Sequence, residues 1–353
     1  MLREELRKLF KRRLVWVVFL GIMILIGVSQ CYYKLGYFSG ERFQKLQEQM
    51  ALFEKHKGEL TEKRLEDFFE DSERFAKRNV GWVSESGWSF EYMEQFLDED
   101  GEVLWVDRVF PGVHFPIQFG DFEGWTFFLD ELPGFIKFVL IFIAVAFSSL
   151  FTYERECGMQ EILLCAKRGR QRCVRAKVAG AFLVTNGLYL FALVFPGAVS
   201  LMLYRGIGAD TSIQMTPWLR QSQLEMNYGE LFFHTIFLTF IVINAILVLT
   251  LIVSFLAKSP MTAMCITLGL LFLLRPDFMS ISLNENEIAN RITAMTPVNV
   301  LDTMNLAKQM PVMVCGVKLQ WITIAEMAYS GVLALGGILL FSVLAKRQRY
   351  DAS

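Results

Sequence analysis

Six predominantly apolar stretches alternate with polar segments along the chain. All but one have about twenty residues or more, which is the length that an α-helix needs to cross a hydrocarbon core of about 30 Å. The exception, at 261–274, is short, and we expect it to tilt or to re-enter. The pattern predicts an all-α polytopic membrane protein with six transmembrane helices, at 14–33, 132–153, 178–203, 231–256, 261–274 and 322–344.

Lys and Arg residues are concentrated in three of the polar segments. Six lie in residues 1–13, seven in the loop 154–177 and three in the tail 345–353. Because positively charged residues favour the cytoplasmic side of a membrane, we predict that all three segments are cytoplasmic. The chain is then a multi-pass protein of the cell membrane with both termini cytoplasmic, and residues 204–230 form an outer loop.

The segment 34–131 lies between the first two predicted spans and on the opposite side of the membrane. It contains twenty-two acidic and eleven basic residues and is rich in aromatic side chains, so we expect a folded extracytoplasmic domain rather than a disordered linker. Short strands are predicted in its second half, for example at 103–106. Two amphipathic helices are predicted in its first half, one from Phe43, Leu46, Met50 and Phe53 and the other from Leu65, Phe68, Phe69 and Phe75. Either a cap over the pore or a surface that captures substrate would suit this domain.

Two other polar segments have patterns of their own. Residues 275–320 are broken by three prolines and predict re-entrant or interfacial short helices at the outer face. Residues 1–13 surround one apolar helix face with basic side chains, and that face consists of Leu2, Leu6, Leu9 and Phe10. This amphipathic segment is either an interfacial helix on the inner leaflet or a positive topology signal.

The loop 154–177 has a helical pattern between two spans. It contains three acidic and seven basic residues, and four apolar residues share one helix face, Met159, Ile162, Leu163 and Ala166. Gly169 predicts the end of this helix, because glycine readily adopts the left-handed conformation that closes a helix C-terminus. An apolar stripe within a charged loop predicts docking of another protein, or contact with lipid headgroups.

This loop resembles a motif in the permease subunits of ABC-2 type ATP-binding-cassette transporters. That motif places an acidic cluster, a glycine, a glutamate, a leucine pair, an arginine and a lysine after the second span, and the corresponding residues here are Glu154, Glu156, Gly158, Glu161, Leu163, Leu164, Arg170 and Lys177. Two positions depart from it, since Lys167 replaces a common proline and Gly169 a common serine.

The resemblance implies a helix, including Met159 and Ile162, that couples the permease to a cytoplasmic ATP-binding-cassette ATPase subunit. It also implies a second permease subunit, in a homodimer or heterodimer, and places the N-terminal helix against the ATPase. The sequence contains no G-x-x-x-x-G-K-[ST] phosphate-binding loop. We therefore expect that the chain itself is not an enzyme and that ATP and Mg²⁺ are bound by the partner ATPase.

Four polar residues fall inside the predicted spans and are possible intramembrane polar sites, Lys137, Asn186, Asn244 and Glu326. Lys137 and Glu326 are at similar predicted depth, so they either pair or act separately, the lysine reaching the headgroups and the glutamate capping its helix. Asn186 and Asn244 either hydrogen-bond to neighbouring helices or line a substrate path. Small residues in the sixth span predict close helix packing there.

No catalytic or metal-binding pattern is present in the sequence. The three histidines are far apart, and the six cysteines form no C-x-x-C motif, so neither a metal site nor a nucleic-acid partner is predicted. The favoured function is the transmembrane permease subunit of an exporter for an unidentified substrate. The alternative is a membrane sensor or scaffold with an extracytoplasmic ligand-binding domain and a cytoplasmic docking loop. A secondary transporter would predict inverted repeats, which the sequence lacks.

Overall fold

A computed structural model describes residues 13–35, 40–78, 106–110, 113–156, 169–272, 293–314 and 317–350, with isolated residues at 3–4, 7, 93, 96–97, 103–104 and 291. The fold is mostly helical. The helices that coincide with the six predicted spans are α1 (Arg13–Val28), α5 (Glu123–Phe147), α7 (Gly169–Tyr204), α8 (Tyr228–Leu256), α9 (Pro260–Phe272) and α11 (Trp321–Tyr350).

Four helical stretches in the described residues are long and apolar enough to cross a membrane: Val15–Tyr32, Cys173–Tyr204, Tyr228–Leu256 and Trp321–Ser342. They coincide with predicted spans one, three, four and six. Predicted span two coincides with α5, which begins earlier than expected and has Asp130 and Glu131 in its N-terminal half and Lys137 just past its midpoint. Predicted span five coincides with α9, which has only 13 residues.

Helix α8 lies at the centre of the bundle and packs against α5, α7, α9 and α11. Of its apolar stretch 67% is buried, whereas the corresponding value is 22% for both the α1 and the α11 stretches. The exposed surface of the outer helices is apolar and includes Val17, Ile24, Leu183, Leu190, Ile338 and Phe341. Such surfaces are costly in water and suit lipid or another hydrophobic helix.

Residues flanking α8 explain where α8 begins and where the next helix, α9, begins. Asn227 and Glu230 form a reciprocal capping box, in which the Asn227 side chain accepts a hydrogen bond of 2.8 Å from the Glu230 backbone N–H. After Leu256, the Ser259 hydroxyl accepts a hydrogen bond from the Thr262 N–H, and Pro260 opens α9. Proline suits this position because the first helical N–H has no partner within the helix.

The two predicted amphipathic helices of the 34–131 segment are present, as α2 (Glu41–Lys55) and α3 (Glu62–Arg78). Between them, β1 (Gly58–Glu59) pairs antiparallel with β2 (Gln118–Phe119). Phe53, Phe68 and Phe119 are fully buried and their rings lie 4.8 to 5.8 Å apart. This aromatic cluster joins the two helices to the strand pair, as the aromatic content of the segment suggested.

This helical pair contacts the end of the bundle at which α7 ends, which we call the Tyr204 end. Gln49 donates a hydrogen bond of 2.9 Å to Glu123 at the start of α5. Lys57 forms an ion pair with Asp210, just beyond α7, in which Nζ lies 3.0 Å from a carboxylate oxygen. The hydrogen bond to this carboxylate raises the pKa of Lys57. Gly208 has a φ of +86°, and a Cβ there would overlap the Asp121 carbonyl oxygen, so glycine is required for this close approach.

The structure differs from the sequence prediction at 103–106, and in 275–320 it adds a hairpin to the predicted short helices. The strand expected at 103–106 is reduced to a single antiparallel bridge between Leu97 and Val103, followed by the one-turn helix α4 (Val106–Val109). The described part of 275–320, which excludes residues 275–290, contains the short helix α10 (Thr303–Lys308), as predicted, and also a hairpin of β3 (Val312–Val314) and β4 (Val317–Leu319). Valine-rich sequence favours strands, which explains why this part is not helical.

Candidate functional site

Lys177 anchors the end of the bundle at which α5 ends and α7 begins, which we call the Lys177 end. Its side chain is only 4% exposed, and Nζ donates a hydrogen bond of 3.3 Å to the Leu150 carbonyl oxygen. The ammonium group also lies 5.6 Å from the centre of the Phe151 ring. Next to it, the Phe151 backbone N–H donates to the Ser254 hydroxyl at 3.1 Å. The turn after α5 is therefore attached to both α7 and α8.

A buried lysine at this position has a clear electrostatic role. Removing an ammonium group from water costs several kcal/mol unless other groups replace its hydration. The Leu150 carbonyl follows α5, where unpaired carbonyl groups give a helix terminus its negative partial charge. Lys177 thus stabilises the end of α5 from α7, and α5, α7 and α8 meet at this junction.

This anchor flanks the segment that the sequence analysis predicted as a coupling element. Thr152–Glu156 forms the short helix α6, in which Glu156 is exposed and the Glu154 side chain is not described. Arg170 lies in the first turn of α7, and its side chain is also outside the described residues. The rest of the predicted element lies outside them as well, namely Gly158, Met159, Glu161, Ile162, Leu163 and Leu164.

Gly169 does not end a helix as predicted. It is the first residue of α7, which continues without a break into the third span. The basic segment that starts at Arg170 is therefore part of the spanning helix, and the Lys177 anchor is a fixed point on that helix.

Asn186 and Asn244 form a reciprocal amide pair between α7 and α8. Asn186 Nδ2 donates to Asn244 Oδ1 at 3.1 Å, and Asn244 Nδ2 donates to Asn186 Oδ1 at 3.2 Å. Each amide also donates to a carbonyl of its own helix, Phe182 and Phe240 respectively, at 2.8 Å. Because each NH₂ group uses both of its hydrogens, this geometry favours helix packing over a substrate-lining role.

Replacing either asparagine with leucine is expected to loosen the contact between α7 and α8. Polar contacts between membrane helices contribute about 0.6 kcal/mol on average and up to about 1.7 kcal/mol. A double-mutant cycle of Asn186→Leu and Asn244→Leu, measured by detergent-induced unfolding in mixed micelles, should give a coupling energy in that range. Strictly additive effects of the two substitutions would show that the pair contributes nothing.

His234 and Glu326 join α8 to α11 near the Tyr204 end. His234 Nδ1 lies 2.7 Å from Glu326 Oε1. Glu326 therefore neither pairs with Lys137 nor caps the first turn of α11, which begins at Trp321. Sequence reasoning missed this pair although His234 and Glu326 lie at similar depths, just inside predicted spans four and six. Of the small residues predicted to pack in α11, Gly336 does approach α8, since a Cβ there would lie 3.0 Å from Val248.

A second buried polar cluster that sequence reasoning missed also lies at the Tyr204 end. A rare π-helix, Ser29–Leu35, extends α1 and carries Lys34, whose Nζ lies 3.1 Å from Glu131 and 3.2 Å from the Ser200 hydroxyl. Gln30 Nε2 donates to the same Glu131 oxygen at 3.0 Å. The sequence did contain a signal for this cluster, because Lys34 and Glu131 flank the ends of two predicted spans on one side of the membrane.

The structure thus contains several apolar membrane helices with polar junctions at both ends, a helical pair at the Tyr204 end and an anchored junction at the Lys177 end. Within the described residues, no group of three or more His, Cys, Asp or Glu side chains is arranged to hold a metal ion. No curated protein and no solved structure matches the chain. A family model described as ABC-2 family transporter protein matches residues 1–335, almost the whole sequence. The chain therefore belongs to the ABC-2 transporter family and is a membrane permease of that family.

Proposed function

We propose that this permease is the transmembrane subunit of an ABC-2 exporter, in which a separate cytoplasmic ATPase subunit supplies the energy for transport across the cell membrane. The observation that carries the proposal is the family match over residues 1–335. It favours transport over the alternative of a membrane sensor or scaffold. The segment 157–168, which includes the apolar stripe around Leu163, is the proposed docking element for the ATPase.

The length of α7 supports placing this docking element and the helical pair of α2 and α3 on opposite sides of the membrane. With 36 residues at 1.5 Å each, α7 is about 54 Å long, well beyond the hydrocarbon thickness of about 30 Å. Its basic start and the acidic domain at its far end therefore suit opposite sides of a membrane. Together with the distribution of Lys and Arg, this supports cytoplasmic termini and an extracytoplasmic domain.

The anchored junction supports a mechanism for energy coupling. If the ATPase moves the docking segment, the force reaches α5 through α6 and reaches α7 through its first turns. Lys177 and Ser254 connect these helices with α8, so the three would shift together. Export would then be a change of population between two packings of the bundle, driven by their different contacts with the ATPase.

A second permease subunit completes the proposed exporter. Helices α1 and α11 lie at the periphery of the bundle and expose apolar side chains, among them Leu25 and Leu335. A pathway between two subunits would need such faces to meet partner helices rather than lipid. The proposal covers either a homodimer or a heterodimer.

Nucleotide assays test the proposal that a separate ATPase subunit, and not the permease, binds and hydrolyses ATP. The sequence contains no phosphate-binding loop, so the purified permease should neither bind nor hydrolyse ATP, and hydrolysis should appear only with the ATPase subunit, which would hold ATP and Mg²⁺. The control is the complex with the lysine of the ATPase phosphate-binding loop replaced, which should be inactive. ATP hydrolysis by the permease alone that is abolished by a substitution in the permease would overturn the proposal.

A further inference from the structure

A half-open cavity of about 420 Å³ lies between α5, α7 and α8 at the Tyr204 end. We call it the Trp125 groove, and its walls include Trp125, Phe128, Gly197, Ala198, Leu201 and Phe232. Its volume is within the usual range for small-ligand sites. Two of the polar groups at its walls already have partners, since the Trp125 indole N–H donates to the Ile207 carbonyl and the Ser200 hydroxyl accepts from Lys34.

The groove opens toward the exposed side of a membrane-spanning helix. Val194 and Leu201 of α7 line it and are 60% and 58% exposed, and both lie within the apolar stretch Cys173–Tyr204. The groove is therefore continuous with surface that would face lipid. Water is a poor occupant, because a buried water molecule needs two to four polar partners that these walls do not offer.

Arg205 adds a charge at the end of the groove. It lies between two residues that line the groove, Tyr204 and Gly206, and its side chain is exposed. Its φ of 53° places a non-glycine residue in the left-handed region, which is uncommon and costs free energy. Within the described part of the chain, its guanidinium group has no ion-pair partner. A guanidinium at a membrane boundary is well suited to bind a phosphate group.

We propose that the Trp125 groove holds one acyl chain of a membrane phospholipid whose phosphate group is bound by Arg205. The apolar walls match an acyl chain, and the exposed cation next to them matches an anionic headgroup. A bound lipid would fill the space between α5, α7 and α8, next to the junctions made by Lys34 and Glu131. This binding site does not depend on whether the exporter proposal is correct.

Fluorescence quenching by brominated lipid acyl chains tests the groove directly. The full chain is reconstituted in phosphatidylcholine vesicles with or without bromine on the acyl chains, and the signal of Trp125 is obtained by subtracting that of a Trp125→Phe variant. We expect Trp125 to be quenched in the wild type and Ala198→Phe, which fills the groove, to protect it. The same substitution at Ala334, on the exposed face of α11, should leave the quenching unchanged. If Trp125 is unquenched in the wild type, or equally quenched in Ala198→Phe, the acyl-chain site does not exist.

The headgroup contact is tested with a variant that leaves the groove open. Brominated phosphatidylglycerol is titrated into vesicles of unbrominated phosphatidylcholine, and its apparent affinity is read from the quenching of Trp125. Arg205→Gln should lower the preference for phosphatidylglycerol about fivefold, as expected for the loss of one cation near the membrane surface. An unchanged preference in Arg205→Gln would remove Arg205 from the site.

Discussion

Replacing Leu163 with Asp is expected to release the ATPase from the complex while the permease still inserts normally into the membrane. Leu163 shares a predicted helix face with Met159 and Ile162, and this face is the proposed contact with the ATPase. A carboxylate buried in an apolar groove without a partner costs about 3 to 5 kcal/mol. Binding should therefore weaken by a factor of about a hundred or more. Co-purification of the ATPase with the tagged permease measures this effect.

Gln160→Asp is the matched control for this experiment. It introduces the same charge into the same segment but away from the apolar stripe, so the ATPase should remain bound. If the stripe instead rests on lipid headgroups, both variants should retain the ATPase, because the contact that is lost would involve the membrane alone. Normal ATPase recovery with Leu163→Asp would therefore exclude this face as the docking element.

Replacing Lys177 with Met is expected to uncouple the bundle from the ATPase without dissociating the complex. Methionine keeps much of the length of the lysine side chain but leaves the buried Leu150 carbonyl without its donor, at a cost of about 1 to 3 kcal/mol. Because Lys177 lies between the docking segment and the membrane helices, we expect motion of the ATPase to be transmitted less effectively. A coupling free energy of this size corresponds to a change of about 5- to 150-fold.

Spin labels on the exposed residues Leu20 of α1 and Leu190 of α7 would report the coupling. In the wild-type complex, we expect ATP to shift the distribution of distances between them, and in Lys177→Met the shift should be strongly reduced. Lys258→Met is the control, since Lys258 is an exposed lysine just after α8, at the same end of the bundle. An ATP-dependent shift in Lys177→Met as large as in the wild type would show that this anchor does not transmit the motion.

The long apolar helices could be predicted from the sequence because their burial depends on runs of residues rather than on particular contacts. The α8 stretch is an example, since it is apolar on every side and its start is encoded by the capping pair Asn227 and Glu230. The start of α5 was harder to predict from the sequence. A hydropathy pattern excludes the charged residues Glu123 and Glu131 from a predicted span. In the structure, Gln49 and Lys34, which are distant in the sequence, donate hydrogen bonds to their carboxylates.

To predict the polar contacts, one must know which residues lie at the same depth in the membrane and which helices are neighbours. Glu326 could be paired with Lys137 on depth alone, but α8 is the neighbour of α11 and provides His234. The loop motif predicted Lys177 as a site residue through family resemblance, but its contact with the Leu150 carbonyl depends on where α5 ends. Gly169 was assigned to a helix end because glycine is common there, but in the structure it belongs to α7.

Site-specific photo-cross-linking from position 163 tests the proposed docking of the ATPase most directly. A photoreactive phenylalanine derivative is incorporated at Leu163, and at Gln160 as the control, and membranes containing the complete transporter are irradiated. If the apolar stripe binds the ATPase, position 163 should give a product with the combined mass of the permease and a protein that contains a phosphate-binding loop, whereas position 160 should give much less. Cross-links from position 163 to lipid alone, with no ATPase adduct, would contradict the docking of an ATPase at this segment.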